Sequence, residues 1–288
     1  MQLEASRRKL LQTWGGLALA HAVPARATQR TQRIVSLGGG LTEVVYLLNA
    51  YDQLVGTDTT SLFPEAALKT AKVGYMRQLS AEGLLSLRPS AVVGTEEAGP
   101  SVVLDQIRSA GVAVELIKVD HSFAEVVRKI ELVGRVAGRT REASALQAQI
   151  TAAWALAQQT VASAAHRPRV LFILAHTGTP MVAGTGTAAD AMIRFAGGIN
   201  AAATFKGYRP LTAEAMASAA PQVLLNTQQG LDALGGDAAL WQRPEVALTP
   251  AFRRRAAVVM DASYLLGFGP RLPQAVRDLH TRMQAAAA

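Results

Sequence analysis

Tyr75 lies one residue past Gly74 and two before Arg77, in a loop that runs from a Pro64-containing stretch to a helix start at Ser80. An ordinary phenol has a pKa of about 10, so a phenolate at neutral pH needs a cation beside it. Arg77 is placed to supply one, and Arg209 is a second candidate. A phenolate of this kind can ligate ferric iron, and tyrosine is among the side chains that hold haem iron. The plain alternative is a tyrosine that only packs in the surface or core. His176 follows the aliphatic stretch 170–174, and ligands gather at the ends of strands in α/β sheets. It reads either as a loop histidine bonded to backbone or as a second iron ligand. A zinc site needs three or four clustered ligands, and no spacing of the five histidines with Asp or Glu offers that.

Three other constellations bear on function. Gly184, Gly186 and Ala189 fit a G-x-G-x-x-A phosphate fingerprint, which makes a nucleotide-dependent enzyme an alternative reading. The motif does not follow its strand directly, however, and no acidic residue stands near 199–206 to take a ribose. Thr185 and Thr187 are then expected to cap a helix starting near Ala188. Ser36, Ser80 and Ser86 lack the G-x-S-x-G elbow of a serine hydrolase. Glu82 and Glu214 each sit in the first turn of an expected helix. They stabilise that helix end, or meet arginines of a membrane partner, or both.

The elements that must position these residues alternate. Short aliphatic stretches at 34–37, 54–56, 91–94 and 112–119 read as strands separated by helices at 41–48 and 102–110, which argues for a parallel α/β lobe. Residues 121–165 contain no proline and read as helix, with Gly134 and Gly138 as breaks. Residues 140–165 form one helix of about 39 Å at 1.5 Å per residue. The strand pattern restarts at 170–174, 223–225 and 256–260, and a helix at 273–283 closes the chain.

The restart contains a repeat. Residues 79–89 align without a gap on 211–221, with Leu79/Leu211, Ala81/Ala213, Glu82/Glu214, Ser86/Ser218 and Pro89/Pro221 identical. Just upstream, Gly74-Tyr75-Met76-Arg77 stands against Gly207-Tyr208-Arg209. The expected architecture is therefore α/β: two lobes with parallel-type sheets joined by one long backbone helix, and a ligand cleft between them. The expected boundaries are 28–120 for the first lobe, 121–166 for the connecting helices and 167–288 for the second lobe.

Composition bounds the partners. The charge is +8, and Arg7, Arg8, Lys9 and Arg26 place part of it near the N-terminus. The remaining excess suits an anionic small ligand or an anionic membrane surface. No dense Lys/Arg run is interleaved with aromatics, which argues against nucleic acid. With no cysteine, a disulfide, a thiolate metal site, a cysteine nucleophile and a lipidated anchor are excluded. Arg7-Arg8-Lys9, an apolar stretch at 10–23 and Ala25-Arg26-Ala27 predict an export signal over residues 1–27, by the general or the twin-arginine route. No later stretch is long and apolar enough for a spanning helix, so a soluble periplasmic protein is expected.

Several stretches together resemble a known family. They are 33–39 with Thr42-Glu43, 73–80, 181–190, 207–211 and 266–271. They look like the class of periplasmic binding proteins with a single long helix between two lobes, serving ABC importers of haem, cobalamin and siderophores. The haem-transport branch fits best. The resemblance implies haem as the transported ligand, Tyr75 on the iron, and Arg77 supporting it or a propionate. It places His176 where some relatives carry a second iron ligand and hold two stacked haems, while the repeat sets Tyr208 in the loop corresponding to that of Tyr75 and leaves Arg209 as a candidate cation from the opposite lobe. It also implies docking of Glu82 and Glu214 on an ABC permease dimer, an indirect link to an outer-membrane haem receptor, a role in iron uptake and no enzymatic activity. A ferric siderophore or cobalamin in the same fold is the alternative. One departure stands out. Gln229 precedes Gly230-Leu231 where the family pattern has an arginine that reaches the tyrosine ligand.

Overall fold

The computed structural model describes residues 32–176 and 179–288. The expected export signal, and Thr177 and Gly178 beside His176, lie outside the described residues. The first lobe runs β1 (Ile34–Ser36), α1 (Gly39–Leu47), β2 (Leu54–Thr57), α2 (Ala81–Ser86), β3 (Ala91–Thr95), α3 (Ser101–Ser109) and β4 (Ala113–Ile117). Then come α4 (Phe123–Val136) and α5 (Thr140–Ala162). The second lobe opens with β5 (Arg169–Leu174), β6 (Met181–Ala183), α6 (Ala188–Phe195), β7 (Ile199–Asn200), β8 (Tyr208–Pro210), α7 (Ala213–Ala219) and β9 (Val223–Thr227). Four short helices follow: α8 (Gln228–Ala233), α9 (Asp237–Gln242), α10 (Pro244–Ala247) and α11 (Pro250–Arg254). The chain ends with β10 (Ala257–Met260), α12 (Ala262–Leu266) and α13 (Leu272–Ala287).

The first sheet has the order β2-β1-β3-β4 and is parallel throughout. Every residue of β1 and β3 is buried, as expected for strands covered on both faces. The second sheet has the order β10-β9-β5-β6-β8, with β7 also paired to β5. Unlike the first sheet, this one is mixed. β10, β9 and β5 are parallel, but β6 runs antiparallel to both β5 and β8. The cause is connection length. Residues 175–180 are too few for the crossover that a parallel neighbour requires, so the chain turns straight back.

The repeat is visible as structure. Ser80 caps α2 by accepting the Gly83 amide at 3.4 Å, and Thr212 caps α7 by accepting the Ala215 amide at 3.1 Å. Both helices lead into fully buried parallel strands, β3 and β9. The long helix α5 covers 23 residues, about 34 Å, and so ends three residues earlier than the pattern suggested. Gly134 does not break a helix. It lies inside α4, where a Cβ would overlap the Ala143 side chain, so it lets α4 and α5 pack closely. Gly138, at φ +66°, makes the turn between them. Among the described residues, no helix is long and apolar enough to cross a membrane.

One hydrophobic core runs through both lobes. It joins Leu41, Val44 and Val45 of α1 to Ile130 and Val133 of α4, and continues into Phe172, Met192 and Leu279 of the second lobe. An aromatic row reinforces it. Phe123 stacks on Trp154 at 5.0 Å, Trp154 meets Phe195 edge-on at 5.0 Å, and Phe195 approaches Phe268 at 6.4 Å.

The two lobes pack backbone to backbone at Gly40. A Cβ there would stand 2.7 Å from the Gly267 carbonyl oxygen and 3.1 Å from the Gly269 Cα. Beside this contact, Arg271 grips Glu43 with two bonds of 2.8 and 2.6 Å. Glu43 is only 4% exposed, and burial raises its pKa despite the opposing pull of Arg271. Lys129 is likewise buried. It pairs with Glu125 at 2.8 Å and donates to the carbonyls of Gly267 and Phe268 at 3.2 and 2.9 Å.

Removing one partner of a buried pair strands the other charge, which typically costs about 3–5 kcal/mol. Arg271→Ala is therefore expected to lower the unfolding free energy by about 3 kcal/mol, read from urea denaturation. The double variant Glu43→Leu/Arg271→Leu should lose less than Arg271→Ala alone. Equal stability of Arg271→Ala and wild type would show that the pair is not a structural tie.

Candidate ligand cleft between the lobes

The Tyr75 loop is held from both sides by backbone bonds. Thr59 donates to the Gly74 carbonyl at 3.0 Å, and Gly99 donates to the Met76 carbonyl at 2.9 Å. Gly74 enters the loop at φ +94°, a conformation that favours glycine. Met76 is buried among core residues, while its neighbours Tyr75 and Arg77 point outward. The loop thus hangs from an apolar anchor and presents a phenol and a guanidinium together. Arg77 Nη1 donates to the Tyr75 hydroxyl at 2.7 Å, and Arg77 Nη2 pairs with Glu97 Oε2 at 2.7 Å. Burial works against the Arg77 cation, but Glu97 and Tyr75 outweigh it and raise its pKa.

Tyr208 is the residue of the second lobe that the repeat matches to Tyr75. It lies on strand β8 rather than in a loop, opposite Ala183 of β6. Burial raises its pKa, the charge of Arg77 lowers it and that of Glu97 raises it, so the phenol lies within the field of both first-lobe side chains. The two tyrosines are equally accessible, each 38% exposed. Arg209 takes a different position from the one expected. Its guanidinium stacks over the Phe205 ring at 4.7 Å instead of reaching for Tyr75. The cation on the Tyr75 oxygen is Arg77, from the same lobe. Gln229 is occupied within the second lobe, donating to Asp261 at 3.1 Å and accepting the Ala262 amide at 3.1 Å.

His176 lies exposed just past the end of β5. Glu82 and Glu214 are exposed in the first turns of α2 and α7, at corresponding positions of the two lobes. The Gly184–Gly186 loop is not a phosphate cradle. Gly184 is pressed against the Phe205 backbone and ring, and the Gly186 amide donates to the Asp190 carboxylate at 3.3 Å. A carboxylate in the first turn of α6 fills the place where a phosphate would be drawn and repels it. Thr187 caps α6 by accepting the Asp190 amide, as expected. Thr185 does not cap. Its hydroxyl donates to the Phe205 carbonyl at 3.0 Å. Among the described residues, no group of His, Asp or Glu is arranged to hold a metal ion by itself.

Several positioning residues were not singled out from the sequence. Asp58 is fully buried. It accepts from the Gly38 and Thr60 amides at 2.9 and 3.0 Å and from the Thr60 and Ser61 hydroxyls at 2.6 and 2.7 Å. Lys72 donates to the Thr57 hydroxyl at 2.8 Å and the Ser61 carbonyl at 2.9 Å. Burial lowers its pKa, and Asp58 opposes that shift. These two side chains fix the loop after β2, whose Leu62 and Phe63 line a recess against the second lobe. This recess of about 470 Å³ lies between Leu62 and Phe63 of the first lobe and Asp261, Tyr264 and Arg271 of the second. Arg271 stacks on Phe63 at 3.8 Å and on Tyr264 at 5.0 Å. A larger recess of about 820 Å³ lies elsewhere, beside the edge strand β10 and α13, and neither recess is lined by Tyr75 or Tyr208. The position of Asp58 directly after β2, and of Glu97 two residues past β3, was the available signal, because ligands gather at strand ends in α/β sheets.

The family model described as "Periplasmic binding protein" matches residues 34–264. The solved structure of the periplasmic heme-binding protein BhuT in complex with two hemes is 46% identical, with a TM-score of 0.86 over 89% of this chain and 99% of that one. The uncharacterized ABC transporter substrate-binding lipoprotein YvrC of Bacillus subtilis is 26% identical over 252 residues, 86% of this chain and 78% of the relative. A cobalamin-binding protein of Halobacterium salinarum is 28% identical over 249 residues, 84% of this chain and 66% of the relative. The match spans both lobes and the helix between them, and this chain belongs to the periplasmic binding protein family, whose members bind a substrate for transport and are not enzymes.

Proposed function

We propose that this protein captures haem in the inter-lobe cleft through a bond from the Tyr75 phenolate to ferric iron, and delivers it from the periplasm to an ABC permease. The observation that carries this reading is the 2.7 Å bond from Arg77 to the Tyr75 hydroxyl, in a loop clipped to its neighbours on both sides. A guanidinium held on that oxygen occupies one of its lone pairs and leaves another open to ferric iron. The 46% identical relative with two hemes supports the ligand class. Tyr208 and the Arg209–Phe205 pair supply the facing wall, and Arg209 is the cation offered to a haem carboxylate. His176 takes the iron of a second haem. Residues 1–27 serve as the export signal, and residues 28–120, 121–166 and 167–288 form the first lobe, the connecting helices and the second lobe. Glu82 and Glu214, one exposed on each lobe, meet the permease.

A second reading, cobalamin or a ferric siderophore, is favoured by the relative named for cobalamin binding. Titration separates the two. Hemin added to the purified protein should give a ferric–phenolate charge-transfer band and more than one haem per chain. Tyr75→Ala should abolish the band and weaken binding at least about 100-fold, and His176→Ala should leave one haem. An unchanged band in Tyr75→Ala, or tight cobalamin binding without hemin binding, would overturn the assignment.

The docking role gives a separate expectation. Glu82→Lys combined with Glu214→Lys should stop uptake into cells or permease vesicles, because two acidic contacts become like-charge clashes. Hemin affinity should stay within about twofold of wild type, since both carboxylates sit on helix ends away from Tyr75. Normal uptake by the double variant would remove these glutamates from the interface.

A further inference from the structure

Arg77 uses its two terminal nitrogens on two different partners. Nη1 donates to the Tyr75 hydroxyl and Nη2 to Glu97 Oε2, both at 2.7 Å. The guanidinium plane is rigid, so a carboxylate that fixes one arm also fixes the other. Glu97 is itself well placed to do this. It lies in the loop after β3, where Gly99 donates to the Met76 carbonyl and Leu79 donates to the Gly99 carbonyl, each at 2.9 Å. The two loops are therefore one backbone unit. The adjacent Glu96 is exposed in the same loop, and its amide is taken up by the Ile117 carbonyl at 3.0 Å.

We propose that Glu97 is a positioning residue: it holds the Arg77 guanidinium on the Tyr75 phenol and keeps that arginine from turning to a ligand carboxylate. Both side chains are about half exposed, so without Glu97 the long Arg77 side chain has solvent and the open cleft to explore. A ligand bearing carboxylates would then compete with Tyr75 for the same cation. With Glu97 present, one arm of the fork is already matched by a carboxylate in ion-pair geometry. A ligand carboxylate is left to other cations of the cleft, and Arg209 on β8 is the candidate. The charges of Arg77 and Glu97 act on Tyr208 in opposite directions.

This inference rests on the haem reading for its spectroscopic arm alone. In the hemin complex, Glu97→Ala should move the charge-transfer band in the same direction as Arg77→Ala and weaken binding about tenfold, the scale of one charge-assisted hydrogen bond. Glu97→Gln keeps an acceptor oxygen for Arg77 and should restore most of both effects. Glu96→Ala should behave as wild type. A merely structural Glu97 would alter folding stability without moving the band. If Glu97→Ala keeps the wild-type band and affinity while Arg77→Ala changes them, the proposal is wrong. If wild type gives no band with hemin, the haem reading fails, and the positioning claim is decided on ligand-free protein by NMR. There the Arg77 Nη signals should be separate in wild type and averaged in Glu97→Ala, whereas averaged signals in wild type overturn it.

Discussion

The buried ion pair between Glu43 and Arg271 sets the distance between the two lobes, and with it the shape of the cleft. Taking two charges out of water is costly, and such a pair adds little net stability compared with apolar residues of similar size. What it adds is geometry. Two bonds of 2.8 and 2.6 Å fix Arg271 against α1, directly beside the place where Gly40 meets Gly269. No side chain fits between the backbones there. Lys129 ties the neighbouring carbonyls of Gly267 and Phe268 to α4. The same Arg271 extends its guanidinium face over Phe63 and Tyr264, so the tie between the lobes is also part of the cleft wall.

The cleft that results is chemically asymmetric. The first lobe brings the reactive oxygen, its cation and the carboxylate behind it, all from two loops joined by backbone bonds. The second lobe brings a phenol, an arginine stacked on an aromatic ring, and an amide. Gln229 uses both ends of its amide on Asp261 and Ala262, and Arg271 is committed to Glu43. The electrostatics around Tyr75 are therefore set by residues of its own lobe, above all Arg77 and Glu97.

Much of this was legible in the sequence because it depends on local pattern. Aliphatic runs gave the fully buried strands, the proline-free stretch gave α4 and α5, and Ser80 and Thr212 marked the starts of α2 and α7. The repeat set Tyr75 and Tyr208 in corresponding loops, but Tyr208 lies on strand β8. What escaped depends on contacts between distant segments. Glu97 is 20 positions beyond Arg77 and meets it only because the loops after β2 and β3 lie side by side. β6 and β8 are three residues each, too short to show a period, and the direction of β6 follows from its short connection to β5. Thr185 and Thr187 look alike as caps, and only the packing of Phe205 decides that one of them serves the backbone instead.

The core shared by both lobes bears on how such a protein can be taken apart. Phe123, Trp154, Phe195 and Phe268 form one row, and α1 of the first lobe belongs to the same apolar mass as α13 of the second. A lobe excised on its own would carry half of that mass bare to water. The lobes are thus not interchangeable modules. A chimera that grafts the second lobe of a relative onto this first lobe has to bring a small residue at Gly269, an arginine at Arg271 and apolar faces that match α4 and α5, or the cut core is left bare to water.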